Sequence, residues 1–269
     1  MSQKLFFFDL DGTLLNEKKE ITPATYAALK AWHTAGHRIA ISSGRPIRSI
    51  LEVIRTQGLE PFSPYAVAFN GALVYDSTEQ KAVLRKTLSL TQVSDVSRIA
   101  AGLSLYIHSY DDTHIYTPRD GEELAFYTRV VKVPYILLPG FPKGLPAPPC
   151  KMICIDLTGS DKEARLAEQV RETYGEAICC IRSNPWYMEV FPGDAGKGTA
   201  VSELAEYLQI DPSDTFAAGD APNDISMLKA AGCGIAMQNA EASVKEEADE
   251  ITETDNDHDG LAPLILRNL

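Results

Sequence analysis

Two aspartates, Asp9 and Asp11, follow an apolar run with three consecutive phenylalanines and are separated by one leucine. Residues two apart in an extended segment project to the same side, so both carboxylates are expected to face one site. Neighbouring carboxylates repel each other unless one is protonated or a cation lies between them. The pair therefore favours binding of a divalent cation such as Mg²⁺, or nucleophilic attack by a carboxylate on phosphorus.

The residues after this pair suit a binding site at a turn. Gly12 allows the chain to turn sharply, and Thr13 adds a hydroxyl group beside the carboxylates. The alternative is a surface turn in which the aspartates cap nearby backbone groups. A cap does not require the same residue twice, so the repetition favours a functional site.

A second polar group, far along the chain, consists of Asp220, Asn223 and Asp224. It begins just after a predicted strand, so Asp220 is placed to ligate a cation. Asn223 could hydrogen-bond a phosphate or a metal-bound water, and Asp224 could orient the ligands. The alternative is a capped helix start, because asparagine and aspartate are good cap residues.

The formal net charge of −12 argues against nucleic acid and anionic membranes as partners, since both attract basic surfaces. An anionic substrate would therefore need local positive charge. Lys197 begins a predicted helix, where backbone N–H groups favour anions, and the alternative is an ordinary solvated lysine. Its surroundings do not have the spacing of a P-loop. Ser43 and the Gly44 amide could also hold a phosphate oxygen, with Arg45 as a possible second cation.

Short apolar strands alternate with helices at both ends of the chain. This alternation predicts an α/β fold with a Rossmann-like parallel sheet and helices on both faces. The predicted strands span residues 5–8, 38–42, 65–69, 73–75, 215–218, 234–237 and 250–252. The predicted helices span residues 23–36, 46–58, 197–208, 225–231 and 242–248.

Four candidate site residues share one position relative to these strands. Asp9, Ser43, Asn70 and Asp220 each fall just after a predicted strand. The carboxyl ends of parallel strands meet at one edge of the sheet, where ligands bind. We therefore expect the four side chains to converge at that edge.

The middle of the chain lacks the regular strand–helix alternation and is interpreted as an inserted domain. Predicted helices at 91–101, 122–131 and 162–174 are mixed there with strands at 103–108, 152–157 and 178–182, and with a proline-rich loop at 138–149. The mixture predicts an α+β domain at 83–187. Residues 1–82 and 188–269 would then form the α/β core.

Length and composition exclude several protein classes. With 269 residues, 45% of them hydrophobic, the chain can form two globular domains. No run reaches the roughly 18 apolar residues of a membrane helix, and the first apolar stretch is too short for a signal peptide. The five cysteines lack paired CxxC spacing, which predicts reduced thiols in a cytoplasmic protein.

Together these residues resemble the motifs of the haloacid dehalogenase-type phosphohydrolases. In chain order the matching groups are Asp9-Leu10-Asp11-Gly12-Thr13, Ser43-Gly44-Arg45-Pro46, Lys197-Gly198 and Gly219-Asp220-Ala221-Pro222-Asn223-Asp224. Within that superfamily, the insertion between the second and third groups is similar to the α+β cap (C2, type IIB) of the Cof-type branch. Asn70-Gly71 and Asp259-Gly260 also resemble that branch.

The resemblance implies a role for each matching residue. Asp9 would be the nucleophile and a Mg²⁺ ligand. Asp11 would be the general acid and then the general base, with its backbone carbonyl also on the metal, and Asp220 would complete the protein's metal ligands. The expected phosphate-binding groups are Ser43, Gly44, Lys197 and Asn223. The expected supporting residues are Thr13, Arg45, Asn70 and Asp224.

The resemblance also implies an activity. The chain would be a Mg²⁺-dependent phosphatase that hydrolyses small phosphate monoesters, such as sugar phosphates or related metabolites, through an aspartyl-phosphate on Asp9. Residues 83–187 would close over the site and select the substrate. Two alternatives stay open: a phosphomutase of the same superfamily, and a phosphometabolite-binding regulatory protein without turnover. The natural substrate and the choice between monomer and homodimer also stay open.

Overall fold

The computed structural model describes residues 2–62 and 64–269. The strands are, in chain order, β1 (Leu5–Asp9), β2 (Arg38–Ser42), β3 (Tyr65–Ala68), β4 (Leu73–Asp76), β5 (Lys81–Arg85), β6 (Tyr106–Tyr110), β7 (Ile115–Thr117), β8 (Tyr135–Leu137), β9 (Met152–Ile155), β10 (Ile178–Asn184), β11 (Tyr187–Pro192), β12 (Thr215–Gly219), β13 (Cys233–Ala236) and β14 (Glu250–Ile251). The α-helices are α1 (Pro23–Thr34), α2 (Ile47–Thr56), α3 (Leu90–Gly102), α4 (Glu122–Val131), α5 (Lys162–Tyr174), α6 (Lys197–Leu208), α7 (Ile225–Ala230), α8 (Ala242–Lys245) and α9 (Leu261–Arg267). Across the described residues, none of these helices combines the length and the apolar character needed to cross a bilayer.

The chain divides into two compact units. The first comprises Met1–Gly44, Ile50–Val83 and Gly196–Leu269. The second comprises Arg45–Ser49 and Leu84–Ala195. Most of the second unit is therefore one continuous segment that interrupts the first.

A parallel sheet forms the centre of the first unit. The strand order is β14-β13-β12-β1-β2-β3-β4-β5, in which neighbours from β14 to β3 are parallel and β4 runs antiparallel to β3. Strands of such sheets are buried on both faces and read as continuous apolar runs. The predicted α/β fold is confirmed.

The phenylalanines of β1 anchor this strand in the core. Phe6, Phe7 and Phe8 are all fully buried. Phe6 stacks on Phe8 with ring centroids 4.1 Å apart, and it meets Trp32 of α1 edge to face at 5.5 Å. Burying each phenylalanine side chain stabilises the fold by about 2 kcal/mol. The end of β1, and with it Asp9, is thereby held in place.

The second unit contains a mostly antiparallel sheet with the order β10-β11-β9-β6-β7-β8, in which β7 and β8 are parallel. Alternate residues of β6, β9 and β11 join α3 and α5 in one apolar cluster. Because side chains alternate along a strand, the residues between them face the other side of the sheet. Among these are the buried His108 and Glu189, and Glu189 Oε2 lies 3.1 Å from Nζ of the buried Lys151.

Several boundaries differ from the sequence-based expectations. The core was expected to resume at residue 188, but residues 188–195 lie in the second unit, because β11 pairs with both β9 and β10. The strand expected from residue 103 begins at Tyr106, because α3 continues to Gly102 and Leu103 caps it. The strands β5, β7, β8 and β11 and the helix α9 were not predicted. β7 and β8 have three residues each, too few for a recognisable period-two pattern.

Candidate active site

The carboxyl ends of β12, β1 and β2 lie side by side in the sheet. Asp9, the last residue of β1, pairs in register with Ser42, the last residue of β2. On the other side of β1, β12 ends at Gly219. Asp9, Ser43 and Asp220 therefore occupy the ends of three adjacent strands, which is the convergence expected from the strand pattern.

A buried lysine connects two of the aspartates. Lys197, the first residue of α6, donates hydrogen bonds from Nζ to Asp9 Oδ1 and Asp224 Oδ1, each at 2.6 Å. The same ammonium lies 3.4 Å from the backbone oxygen of Ser42. All three charged side chains are buried. Burying a charge is costly unless it is paired and hydrogen-bonded, and Lys197 meets both conditions.

The second oxygen of Asp224 holds the turn after β12. Asp224 Oδ2 accepts hydrogen bonds from the backbone N–H groups of Asp220 at 3.1 Å and Ala221 at 3.2 Å. Gly219 packs so closely on this side chain that a Cβ atom there would lie 2.5 Å from Asp224 Cβ. Glycine at the start of this motif therefore permits the close approach of Asp224.

The turn after β1 packs against Asp220. Thr13 Oγ1 donates a hydrogen bond to Asp220 Oδ1 at 2.8 Å. Gly12 has a φ of +86°, and a Cβ atom at this position would lie 2.4 Å from Asp220 Oδ2. Asn239 Nδ2 donates to the backbone oxygen of Gly12 at 2.8 Å. The sharp turn expected at Gly12 is present, and it brings the first and last motifs into direct contact.

Lys197 alone does not offset the effect of burial on the carboxyl groups of the site. Burial and the nearby Asp224 raise the pKa of Asp9 to about 8, although Lys197 acts in the opposite direction. Burial also raises the pKa of Asp220 to about 6, against the hydrogen bond from Thr13. Burial alone would lower the pKa of Lys197, but Asp224 and Asp9 outweigh it and raise that pKa. With Lys197 as its counter-charge, the pKa of Asp9 therefore still lies above the usual range of an aspartate.

A hard cation fits this arrangement. Carboxylate oxygens of Asp9, Asp220 and Asp224 lie within 4.8 Å of one another. Oxygen donors are the ligands that Mg²⁺ prefers, and a divalent cation would supply the positive charge that keeps these groups ionised. The donor set therefore suits Mg²⁺ both in chemistry and in charge.

Asp11 lies in a different environment from Asp9. The strand ends at Asp9 and a turn begins at Leu10, so the two aspartates do not project equally from one extended segment. Asp11 is half-exposed, and its Oδ1 accepts a hydrogen bond from Lys19 Nζ at 2.8 Å. It remains close enough to Asp220 to raise the pKa of that carboxyl. The pair thus consists of one buried and one solvent-accessible carboxylate.

The predicted phosphate-binding residues after β2 are also at this edge. Ser43 is buried, and its N–H donates to the backbone oxygen of Val67 at 2.8 Å. Asn70 is buried with a left-handed φ of 58°, and its N–H lies 3.4 Å from the backbone oxygen of Ser43. Gly44 is half-buried. Arg45 is assigned by its contacts to the second unit.

The loop after β3 also approaches the start of α6. Gly71 has a φ of +92°, and a Cβ atom there would lie 2.1 Å from the backbone oxygen of Gly196. Glycine therefore allows the Asn70 loop to pack directly against the residue that precedes Lys197. The predicted third-strand residue and the predicted lysine motif are neighbours in the fold.

The last two polar residues of the final motif, Asn223 and Asp224, lie in different environments. Asn223, expected to bind phosphate or a metal-bound water, is exposed, whereas Asp224, expected only to support the site, pairs directly with Lys197. Sequence reasoning also missed Lys19 and Asn239. Asn239 comes shortly after the end of β13, so the rule for carboxyl ends of strands could have identified it. Nothing in the sequence pattern distinguished Lys19.

Comparison with known proteins agrees with this geometry. A sequence model of the haloacid dehalogenase-like hydrolase family matches residues 6–265. The protein named "Putative phosphatase YxeH" of Bacillus subtilis (strain 168) is 32% identical over 266 residues, which cover 97% of each chain. The 5-amino-6-(5-phospho-D-ribitylamino)uracil phosphatase YwtE of the same organism is 27% identical, over 97% of this chain and 96% of its own.

The fold has close counterparts among solved structures. A haloacid dehalogenase-like hydrolase from Bacteroides thetaiotaomicron superimposes with a TM-score of 0.89 at 29% identity, and the match covers 99% of this chain and 100% of that chain. The sequence match extends over both units and includes every residue of the carboxylate cluster. The chain therefore belongs to the haloacid dehalogenase-like hydrolase family, and it is a phosphatase of that family.

Proposed function

We propose that this phosphatase hydrolyses small phosphate monoesters in a Mg²⁺-dependent reaction with Asp9 as the nucleophile. The observation that carries the proposal is the position of the Asp9 carboxylate. It belongs to a cluster of three carboxylates and lies 2.6 Å from the ammonium of Lys197. Phosphoryl transfer depends mainly on positioning and on stabilisation of negative charge. The neighbouring carboxylates and the Lys197 ammonium support both at this side chain.

Asp9 and Asp220 would hold the Mg²⁺ ion, together with the backbone carbonyl of Asp11. When bound, the ion would neutralise charge on the phosphoryl oxygens of the substrate. An opposite unit charge at 4 Å contributes about 4 kcal/mol at an effective dielectric constant near 20. The local charge of Lys197 can therefore outweigh the diffuse repulsion from a net charge of −12, which salt screens.

The proposed reaction has two halves. In the first, an Asp9 carboxylate oxygen attacks phosphorus, the bond from phosphorus to the leaving oxygen breaks, and Asp11 donates its proton to that oxygen. The products are an alcohol and an aspartyl-phosphate on Asp9. In the second, Asp11 takes a proton from a water molecule, whose oxygen attacks phosphorus and releases inorganic phosphate from Asp9. Ser43, the Gly44 amide and Lys197 would hold phosphate oxygens throughout.

The substrate is proposed as a class. The relative YwtE is named for a phosphorylated ribityl compound, which supports a small phosphorylated metabolite as the substrate of this chain as well. Sugar phosphates and related polyol phosphates belong to that class. The inserted segment, expected at 83–187 and continued to Ala195 in the structure, would select the leaving group.

The Asp9→Asn variant tests the nucleophile. We expect it to fold like the wild type but to lose Mg²⁺-dependent hydrolysis of an aryl phosphate, because an amide does not form the acyl-phosphate. The matched control is Asp161→Asn, which removes the same charge from an exposed residue without a side-chain cap hydrogen bond. Hydroxylamine trapping during turnover should modify Asp9 in the wild type. Full activity of Asp9→Asn would exclude this mechanism.

Product analysis separates hydrolysis from phosphomutase activity. With a hexose monophosphate and Mg²⁺, the proposed phosphatase releases one inorganic phosphate for each substrate consumed. An isomerised sugar phosphate without free phosphate would instead identify a mutase. Binding of the sugar phosphate without any product would identify the regulatory alternative.

A further inference from the structure

Lys19 lies in the turn that follows the first motif and forms an ion pair with Asp11. Its Nζ is 2.8 Å from Asp11 Oδ1, and the two side chains are 60% and 41% exposed. Exposed ion pairs contribute little to stability, because water and salt screen both charges. The contact therefore has a small structural value of its own.

The backbone of Lys19 is in an unfavourable conformation. Its φ of +62° lies in the left-handed region, which glycine and asparagine adopt far more readily than lysine. A compact turn holds it there: Lys19 N–H donates to the backbone oxygen of Asn16 at 2.9 Å, and Asn16 Oδ1 accepts from Glu20 N–H at 2.9 Å. These hydrogen bonds hold Lys19 in a conformation that lysine rarely adopts.

Contacts from two other segments fix the turn in place. Gln57, just after α2, donates from Nε2 to the backbone oxygen of Lys19 at 3.2 Å and accepts from Ile21 N–H at 2.9 Å. Glu17 N–H donates to Asp257 Oδ1 at 2.8 Å. The location of the Lys19 Cα atom is therefore set by the folded first unit and does not depend on the ion pair with Asp11.

The neighbouring Lys18 provides a comparison for Lys19 within the same turn. Lys18 is exposed, has no positive φ and forms no ion pair within the described part of the chain. Lys19 is one residue further on, in the strained conformation, and its ammonium reaches the carboxylate. Of these two consecutive lysines, only Lys19 pairs with Asp11 among the described residues.

We infer that Lys19 is a positioning residue that orients the Asp11 carboxyl group for both halves of the reaction. The inference rests on the proposed function, in which Asp11 first donates a proton to the leaving oxygen and later takes one from water. A half-exposed side chain can adopt several rotamers, and an ion pair with a residue whose backbone is held by other contacts favours one of them. Lys19 and the Asp11 carboxyl group that it contacts both belong to the first unit. Because its ion pair is with Asp11, which is proposed to transfer protons and not to bind phosphate, Lys19 is expected to act on turnover rather than on phosphate binding.

The variant Lys19→Asn separates the ammonium from the backbone conformation. Asparagine tolerates the left-handed region, so the turn is expected to stay folded while the ion pair is lost. We expect kcat for an alkyl phosphate to fall by about tenfold or more, with KM changed less than about twofold, because proton transfer is impaired and phosphate contacts are retained. Lys19→Arg should recover most of the activity. Lys18→Asn is the matched control and should behave as the wild type.

A double-mutant cycle with Asp11→Asn distinguishes positioning from a general structural effect. If Lys19 acts through Asp11, Lys19→Asn should cause no further loss of kcat in the Asp11→Asn background. An equal loss in both backgrounds would overturn the inference, as would unchanged kcat in Lys19→Asn. The Asp9→Asn variant tests the proposed function separately. If Asp9→Asn is inactive and Lys19→Asn is fully active, the assignment of Asp9 as the nucleophile is retained and only the role of Lys19 is rejected.

Discussion

Lys197 and Asp9 are 188 positions apart in the chain, yet Lys197 Nζ and Asp9 Oδ1 lie 2.6 Å from each other in the protein interior. The same ammonium pairs with Asp224 at 2.6 Å. One buried cation thus joins the end of β1, the start of α6 and the turn after β12. Because these segments flank the inserted unit in the sequence, the site can form only when both parts of the core have assembled.

Replacing Lys197 by methionine should impair both stability and activity. The variant leaves Asp9 and Asp224 buried without their shared counter-charge, and breaking a buried ion pair in this way costs about 3 kcal/mol or more. We expect the free energy of unfolding in urea to fall by this amount and Mg²⁺-dependent phosphate release to be lost. Lys229→Met is the control, because the Lys229–Glu247 pair is exposed and contributes less than about 1 kcal/mol.

The two outcomes of that comparison have different meanings. Equal stability of the two variants would show that the buried ammonium does not hold the site together. Normal turnover by Lys197→Met would remove Lys197 from the list of phosphate-binding groups, even if its stability were reduced.

Gly12→Ala should disrupt the site through one added methyl group. At a φ of +86°, the new Cβ would lie 2.4 Å from Asp220 Oδ2, so the carboxylate must move. Misplacement of a reacting group by about 1 Å costs on the order of 100-fold in rate, which is the expected loss of kcat/KM.

Gly36→Ala is the matched control for this change. Gly36 has a similar φ of +88°, but no atom lies within 4 Å of its Cβ position. It should lose only about 1 kcal/mol of stability from backbone strain and retain wild-type activity. Similar kinetics for the two alanine variants would mean that the contact between Gly12 and Asp220 is unimportant for turnover.

The elements that carry the site were predictable because their signals are local. The apolar run before Asp9 has no polar alternation, which identifies a strand buried on both faces. Thr22 and Pro23 mark the start of α1, and in the structure the Thr22 side chain accepts a hydrogen bond from Thr25 N–H. The rule for carboxyl ends of parallel strands then brings Asp9, Ser43 and Asp220 together without further information.

The orientation of individual side chains was not predictable in the same way. Asn223 and Asp224 are equally good cap residues, and the short 3-10 turn at Pro222–Asp224 decides which of them faces Lys197. Lys19 contacts Asp11 from a left-handed backbone that hydrogen-bonds to Asn16 and Gln57. These choices depend on tertiary contacts between distant segments, and a single sequence contains no periodic signal for them.

Thr13→Val should weaken the response to Mg²⁺. The variant removes the hydrogen bond from Thr13 Oγ1 to Asp220 Oδ1, which helps to orient that carboxylate and opposes the rise of its pKa. Loss of such an outer hydrogen bond typically costs about 10-fold in metal affinity, and this is the expected increase in the Mg²⁺ concentration required for half-maximal activity. Thr13→Ser keeps the hydroxyl and should remain close to wild type.

The same comparison can be made without turnover. Mg²⁺ should raise the unfolding temperature of the wild type and of Thr13→Ser at lower concentrations than for Thr13→Val. An identical Mg²⁺ dependence of unfolding for the three proteins would show that Thr13 does not influence the ligand at Asp220.

The second unit should lose stability as the pH falls from 7.5 to 5. Burial, reinforced by the nearby Lys151, lowers the pKa of His108 to about 3. Its Nε2 is 2.9 Å from the Tyr110 hydroxyl, and its Nδ1 has no partner among the described residues. The unfolded chain takes up a proton below pH 6.5 while the folded unit does not, so stability present at neutral pH is lost as the pH decreases. For this one group the loss is about 2 kcal/mol at pH 5.

His108→Gln provides the comparison that assigns this pH dependence. Glutamine does not titrate, so between pH 7.5 and pH 5 the variant should lose about 2 kcal/mol less stability than the wild type. Hydrogen exchange of peptides from β6 and β9 measures the second unit without interference from the core. The range stops at pH 5 because Asp156 begins to contribute only under more acidic conditions. Burial of Asp156 acts to raise its pKa, but hydrogen bonds from Ser160 and Thr158 outweigh this effect and lower the pKa to about 2. Parallel pH profiles for the two proteins would mean that another group is responsible for acid sensitivity.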